Sequence, residues 1–199
     1  MNRIYQKAMK SFILGTYMKL LDLEKELSAR QGSTRAAYLA ARCRAGDFLC
    51  TDLIDLTFHR NGVLAFHAAW VLEHVFLAGG APKVEWEYFF KRYIDQRNKS
   101  CQRHFTKIAI YFFNEVSTVT NVDLESVMER TMEWLADEGT PVAVKANCID
   151  ILFALRGKED WLAEELTFQL EFIIRKGTSA ALQSRTKKFL AKLSKERKL

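Results

Sequence analysis

The chain has 199 residues and a mass of 23.0 kDa, enough for one domain with a real core or for a short array of stacked units. Hydrophobic residues make up 49% of it, which excludes a disordered chain, and the two prolines and nine glycines favour helices over a sheet. The formal net charge of +6 is local: residues 185–199 carry seven Lys/Arg against Glu196, while residues 1–184 carry 23 of each sign, so a pI near 9.1 is no sign of a nucleic-acid-binding face.

The first 21 residues contain no acid, and Arg3, Lys7, Lys10 and Lys19 surround Ile4, Met9, Phe12, Ile13 and Leu20. An organelle presequence, an interfacial helix and an ordinary docked helix share that chemistry. The apolar run 12–14 is too short for a secretory signal or a membrane span, and the segment is read as an amphipathic helix over 1–29 docked on the first unit. A break at Gln31, Gly32 and Ser33 precedes a short helix over 34–45.

Helical segments then follow in pairs. Asp47 is expected to cap a helix over 48–59 before Asn61-Gly62; the loop Gly79-Gly80-Ala81-Pro82 precedes a helix over 84–95, and Ser100 starts the next. Asp123 is expected to cap a helix reaching Asp137. Gly139 ends it, Thr140 is expected to cap the following helix, and Pro141 suits its first turn. A helix over 161–175 ends at Gly177-Thr178.

The second helices of these pairs share columns. A small position recurs as Ala68, Ala109, Cys148 and Thr186, and a large one as Leu72, Phe113, Leu152 and Leu190, in steps of 41, 39 and 38 residues. A third column holds Val75, Val116, Leu155 and Leu193. The unit is a helical hairpin with a period near 40, present four times, and one such hairpin cannot bury its apolar face alone.

The stretches TRAAYLAARCRAGDFLCTDLIDLTF, AFHAAWVLEHVF, GTPVAVKANCIDILFAL and SAALQSRTKKFLAKL resemble successive blocks of a family of small bacterial HEAT-like, armadillo-type helical repeat proteins. The resemblance covers about 34–194, and the segment RHFTKIAIYFF is more aromatic than the pattern. It implies an all-α, right-handed solenoid of about four HEAT-like hairpins with extra N-terminal helices. The domain reading is an N-terminal helix and linker over 1–33 and a repeat domain over 34–199. The resemblance carries no reaction with it.

It also implies that the second helices line a concave side. The aligned row there is Trp70, Tyr111, Asp150 and Lys188, with Phe66, Glu73, Lys107, Asn114 and Phe153 nearby. Aromatics beside a carboxylate and a lysine suit a partner helix or an extended peptide. The competing account is that Trp70, Tyr111 and Phe153 pack neighbouring repeats. HEAT-like alkylation-repair glycosylases supply a second analogy, in which Trp70, Tyr111 and Asp150 would face DNA. It fits loosely, because no run of Arg or Lys spans several rows of that face.

Other features are quieter. The cysteines at 43, 50, 101 and 148 have no metal-binding spacing and read as reduced, buried thiols of a cytoplasmic protein. Glu125, Glu129, Glu133 and Asp137 form a like-charge ladder whose compensation is expected from Lys91, Arg92, Arg97 and Lys99. His59, His67, His74 and His104 lack a metal-binding motif, and no phosphate loop or catalytic constellation occurs. No cofactor and no metal are expected. The chain reads as a non-catalytic module for a protein or peptide partner. Nucleic acid, through the basic C-terminal end, is the alternative to a solvated cap there; membrane association is not expected, and the oligomeric state is left open.

Overall fold

A computed structural model describes residues 20–116 and 121–196. The expectations for residues 1–19, and for Arg197 and Lys198 of the tail, therefore lie outside the described residues. All regular structure among the described residues is helical. Helix α1 covers 20–28; α2 is Ser33–Arg44, α3 Cys50–Leu56, α4 Gly62–Leu77 and α5 Lys83–Tyr93. Helix α6, Lys99–Tyr111, runs into a π-helical turn at Phe112–Val116; α7 is Leu124–Ala136, α8 Val142–Leu155, α9 Asp160–Lys176 and α10 Ala180–Glu196. The chain divides into two compact units, Met1–Glu85 and Trp86–Leu199.

In the first unit α4 packs on both α2 and α3. Leu23 and Leu27 of α1 are buried, and His67 Nδ1 of α4 donates to the Leu27 carbonyl at 2.7 Å. The described part of the N-terminal helix is thus docked on the unit that follows it. In the second unit α8 is central, packed against α6, α7, α9 and α10, while α9 also packs on α7 and α10.

The period near 40 is visible as a set of polar ties between successive hairpins. Tyr93 hydroxyl meets Thr131 Oγ1 at 2.9 Å, 38 residues away. Asn147 Nδ2 donates to Thr106 Oγ1 at 2.9 Å across 41 residues, and Arg185 Nη1 to the Ala146 carbonyl at 3.3 Å across 39. Lys99 Nζ donates to the Gly139 carbonyl at 2.6 Å across 40, and the Lys176–Glu138 ion pair spans 38. Side chains one period apart are brought together because equivalent helices lie side by side.

The small column is buried throughout: Ala68, Ala109, Cys148 and Thr186 are each 0% exposed. The large column holds only for Leu72 and Leu152. Helix α6 buries Phe112 where the sequence aligns Phe113, and α10 buries Phe189 where it aligns Leu190. At α6 the helix has already widened into its π turn, so the +4 position no longer faces inward. At α10 the neighbours are α8 and α9, and the helix buries a single row of Leu182, Thr186, Phe189 and Leu193. Helix α8, packed on several sides, buries Ile151 and Leu152 together.

Two capping expectations change. Helix α3 starts only at Cys50, after Leu49, because Asp47 instead accepts from Arg42 Nε at 2.7 Å, a charge-assisted bond that holds its carboxylate away from the helix. Thr140 does not cap α8; its buried hydroxyl donates to Asp137 Oδ2 at 3.0 Å, and Pro141 occupies the capping position. Helix α6 starts at Lys99, one residue before the expected Ser100, and Asn98 caps it, accepting from Ser100 N at 3.0 Å. Asp123 caps α7 as expected, accepting from Ser126 N at 3.1 Å, and Gly177 closes α9 with a φ of 74° that favours glycine.

Candidate functional site

The outward rows of the second helices are the candidate site, and each unit carries its own part. On α4, Phe66 and Trp70 stand one turn apart, half-buried, with ring centroids 6.0 Å apart and planes tilted by 45°. One further turn along, Glu73 lines a cavity of about 370 Å³ between α2 and α4, together with Ala37, Arg44, His74 and Leu77.

In the second unit α6 carries Lys107 and Tyr111 one turn apart, and Asn114 follows in the π turn. Tyr111 is half-buried, and its ring stacks on Trp86 of α5 with centroids 6.4 Å apart and planes at 24°. Asn114 donates back to the Ile110 carbonyl at 2.9 Å, within its own helix. On α8, Asp150 is half-buried and accepts from Arg185 Nη1 of α10 at 2.5 Å. The sequence row pairs Asp150 with Lys188. The geometry gives the contact to Arg185, whose guanidinium reaches the Ala146 carbonyl and Asp150 together. Lys188 stays exposed and acts on Asp150 only through its field.

Burial pushes the Asp150 carboxyl above its ordinary value, and the charges of Arg185, Lys188 and Lys192 pull it part of the way back. Beyond Asp150, Phe153 packs against Phe189 of α10 at a centroid distance of 4.7 Å. The Arg156 guanidinium sits 3.9 Å from the Phe153 ring centre, and Lys192 Nζ lies 5.2 Å from the centres of both rings. The structure therefore gathers Phe66, Trp70 and Glu73 on α4, Lys107, Tyr111 and Asn114 on α6, and Asp150 and Lys188 around Arg185. Sequence reasoning missed Arg185, Lys192 and Phe189. The signal was present in the i−3, i+4 and i+1 neighbours of Lys188, which a single aligned row does not sample.

The remaining groups offer little chemistry. All four cysteines are buried free thiols; burial pushes Cys101 up to about 12 and raises Cys148, and a hydrogen bond with Cys43 together with burial raises Cys50, so Cys50, Cys101 and Cys148 stay protonated and weakly nucleophilic at neutral pH. Among the described residues no group of three or more His, Cys, Asp or Glu could hold a metal ion. The acidic ladder on α7 is compensated in part as expected. Glu133 pairs with Arg130 and Asp137 with Lys99 at 3.5 Å, whereas Arg92 pairs with Asp95 at 3.3 Å. Among the described residues no helix is long and apolar enough to cross a membrane.

Paired helices tied at a spacing of about 40 residues, with one small buried column common to all second helices, define an α-helical repeat protein. The model of a HEAT repeat domain matches residues 23–193, and the chain belongs to that family. The matched span takes in Leu23 and Leu27 of α1 and most of both compact units. No curated protein and no solved structure shows a significant match to the chain. HEAT repeats commonly mediate protein interactions.

Proposed function

We propose that the chain is a non-catalytic interaction module that receives a protein or peptide segment on the outward rows of its second helices. One observation carries this reading: Tyr111 and Asp150 are held in place by Trp86 and Arg185 while each keeps part of its surface open to solvent. Side chains already fixed by their neighbours lose little conformational freedom when a partner arrives. Buried free thiols suit a reducing, cytoplasmic setting.

The test is to replace Tyr111 with a photo-crosslinking phenylalanine derivative in the native cell and identify what is captured. Capture of a protein at position 111, and none from the same group at Glu129 on α7, is the expected result. A covalent adduct to nucleic acid instead, or equal yields at the two positions, would overturn the reading.

A further inference from the structure

Resting on that reading, we infer that the second-helix face of the second unit takes an acidic segment with an apolar side chain, laid across α8 between two banks of cations. The electroneutral body of the chain hides an uneven division of charge. Helix α7 carries Glu125, Glu129 and Glu133 against Arg130, and α9 carries Asp160, Glu164, Glu165 and Glu171 against Arg175 and Lys176. These two first helices are net acidic, whereas the first helix α5 carries Lys83, Lys91 and Arg92 against Glu85 and Glu87. Helix α6 carries Lys99, Arg103 and Lys107 and no acid, and α10 carries Arg185, Lys187, Lys188, Lys192 and Lys195 against Glu196.

The cations that share the candidate face are Arg103 and Lys107 on α6, four residues apart, and Arg185, Lys188 and Lys192 on α10, three and four apart. Lys188 and Lys192 are exposed, and neither forms a salt bridge with another described residue. Between the banks, the only charge on the matching row of α8 is Asp150, already neutralised by Arg185. On α10 the face is thus positive in its unneutralised charge, which favours a carboxylate-rich partner and speeds its encounter.

Dimensions and packing define the occupant further. Neighbouring helix axes lie about 8–10 Å apart, so α6 and α10, on either side of α8, stand roughly 20 Å apart. At about 3.3 Å per residue, some six extended residues bridge the banks. The middle of that path passes Ala146 and Ala154, small side chains that are not buried, next to the Phe153–Phe189 pair. An aliphatic or aromatic side chain of the segment can lie there while its acidic neighbours reach the lysines. A single nucleic-acid strand fits less well, because it needs open ring faces for its bases. Phe153 already holds Arg156 and Lys192 over its ring, and Tyr111 already stacks on Trp86.

The experiment uses the full chain and three labelled probes: a peptide of about a dozen residues alternating Glu or Asp with Leu, its Lys counterpart, and a single DNA strand of similar length. Fluorescence anisotropy is expected to show the acidic peptide binding most tightly and weakening as salt is raised. The paired change Lys188→Glu and Lys192→Glu is expected to weaken it at least about tenfold, with Arg103→Glu acting in the same direction from the other bank. Neutral Lys188→Gln with Lys192→Gln should fall between, and Glu129→Lys on α7 should change nothing. Circular dichroism of each variant separates lost binding from lost structure. The inference is overturned if the Lys peptide or the DNA binds more tightly than the acidic peptide, or if the α10 changes have no effect. A protein crosslinked at Tyr111 that survives the charge reversals would leave the interaction reading standing and remove this one.

Discussion

The hairpins α5–α6 and α9–α10 have the same architecture and almost opposite interiors. The first is filled with rings: Trp86, Phe89, Phe90 and Tyr93 meet Phe105, Phe112 and Phe113 at centroid distances such as 4.9 Å for Phe89–Phe105 and 4.6 Å for Phe90–Phe112. The second is mostly aliphatic, built on Leu162, Leu166, Leu170 and Ile173 of α9 with Leu182 and Leu193 of α10, and Phe189 is its one buried ring among the described residues. Both keep the spacing of about 40 residues and both bury the small column, at Ala109 and at Thr186. The repeat therefore specifies which positions turn inward and leaves the chemistry that fills them free. Helix α6 ends in a π turn where Phe112 and Phe113 enter the cluster.

Truncation sharpens that contrast. Phe105→Ala removes a fully buried ring in contact with Phe89 and Tyr93 and should cost about 3–5 kcal/mol in urea unfolding. Leu166→Ala in the aliphatic hairpin should cost about 2–4 kcal/mol. If the order reverses, the rings are not the heavier contributors. The column shift is tested next. Leu152→Ala, fully buried in α8, should cost about 3 kcal/mol and Leu190→Ala, half-exposed in α10, less than about 1. Equal losses would mean that α10 buries the aligned residue after all. Smaller still is the tie between hairpins: Asn147→Ala or Thr106→Val should cost about 1 kcal/mol each, and the double change less than the sum, because the two share one bond.

Much of this was legible from spacing alone. The small column at 68, 109, 148 and 186 survives intact, since a residue squeezed between two helices must be small whatever surrounds it. The large column was legible only in α4 and α8, because its inward turn at +4 depends on how many sides of the helix are covered and on a regular backbone, neither of which a column of letters records. Caps failed where a carboxylate or hydroxyl had a nearer competitor, Arg42 for Asp47 and Asp137 for Thr140. At the candidate site the row of residues was legible, but its pairing was not. Arg185 wins Asp150 from Lys188 because a guanidinium reaches a carbonyl and a carboxylate at once.

That pairing also separates two aspartates of the second unit by pH. Asp137 is held below the ordinary 3.8 by the amide of Gly139, the hydroxyl of Thr140 and Lys99. Asp150 is raised above 3.8 by burial, against the pull of Arg185, Lys188 and Lys192. The unfolded chain gives up the Asp150 proton near the ordinary value, while the folded chain keeps it to higher pH. Its effect on stability is therefore most favourable below the ordinary value and declines as pH rises through the raised one. Asp137 works the other way: its stabilisation is present above the ordinary value and is lost as pH falls through its lowered one. Carbon-13 carboxyl titration by NMR should place the Asp150 midpoint above that of Asp137. Arg185→Gln removes the largest opposing charge and should move Asp150 further up while leaving Asp137 in place. An Asp150 midpoint below 3.8 would show that the attraction of the cations outweighs the cost of burial, and one that ignores Arg185→Gln would show that Arg185 does not hold the carboxylate.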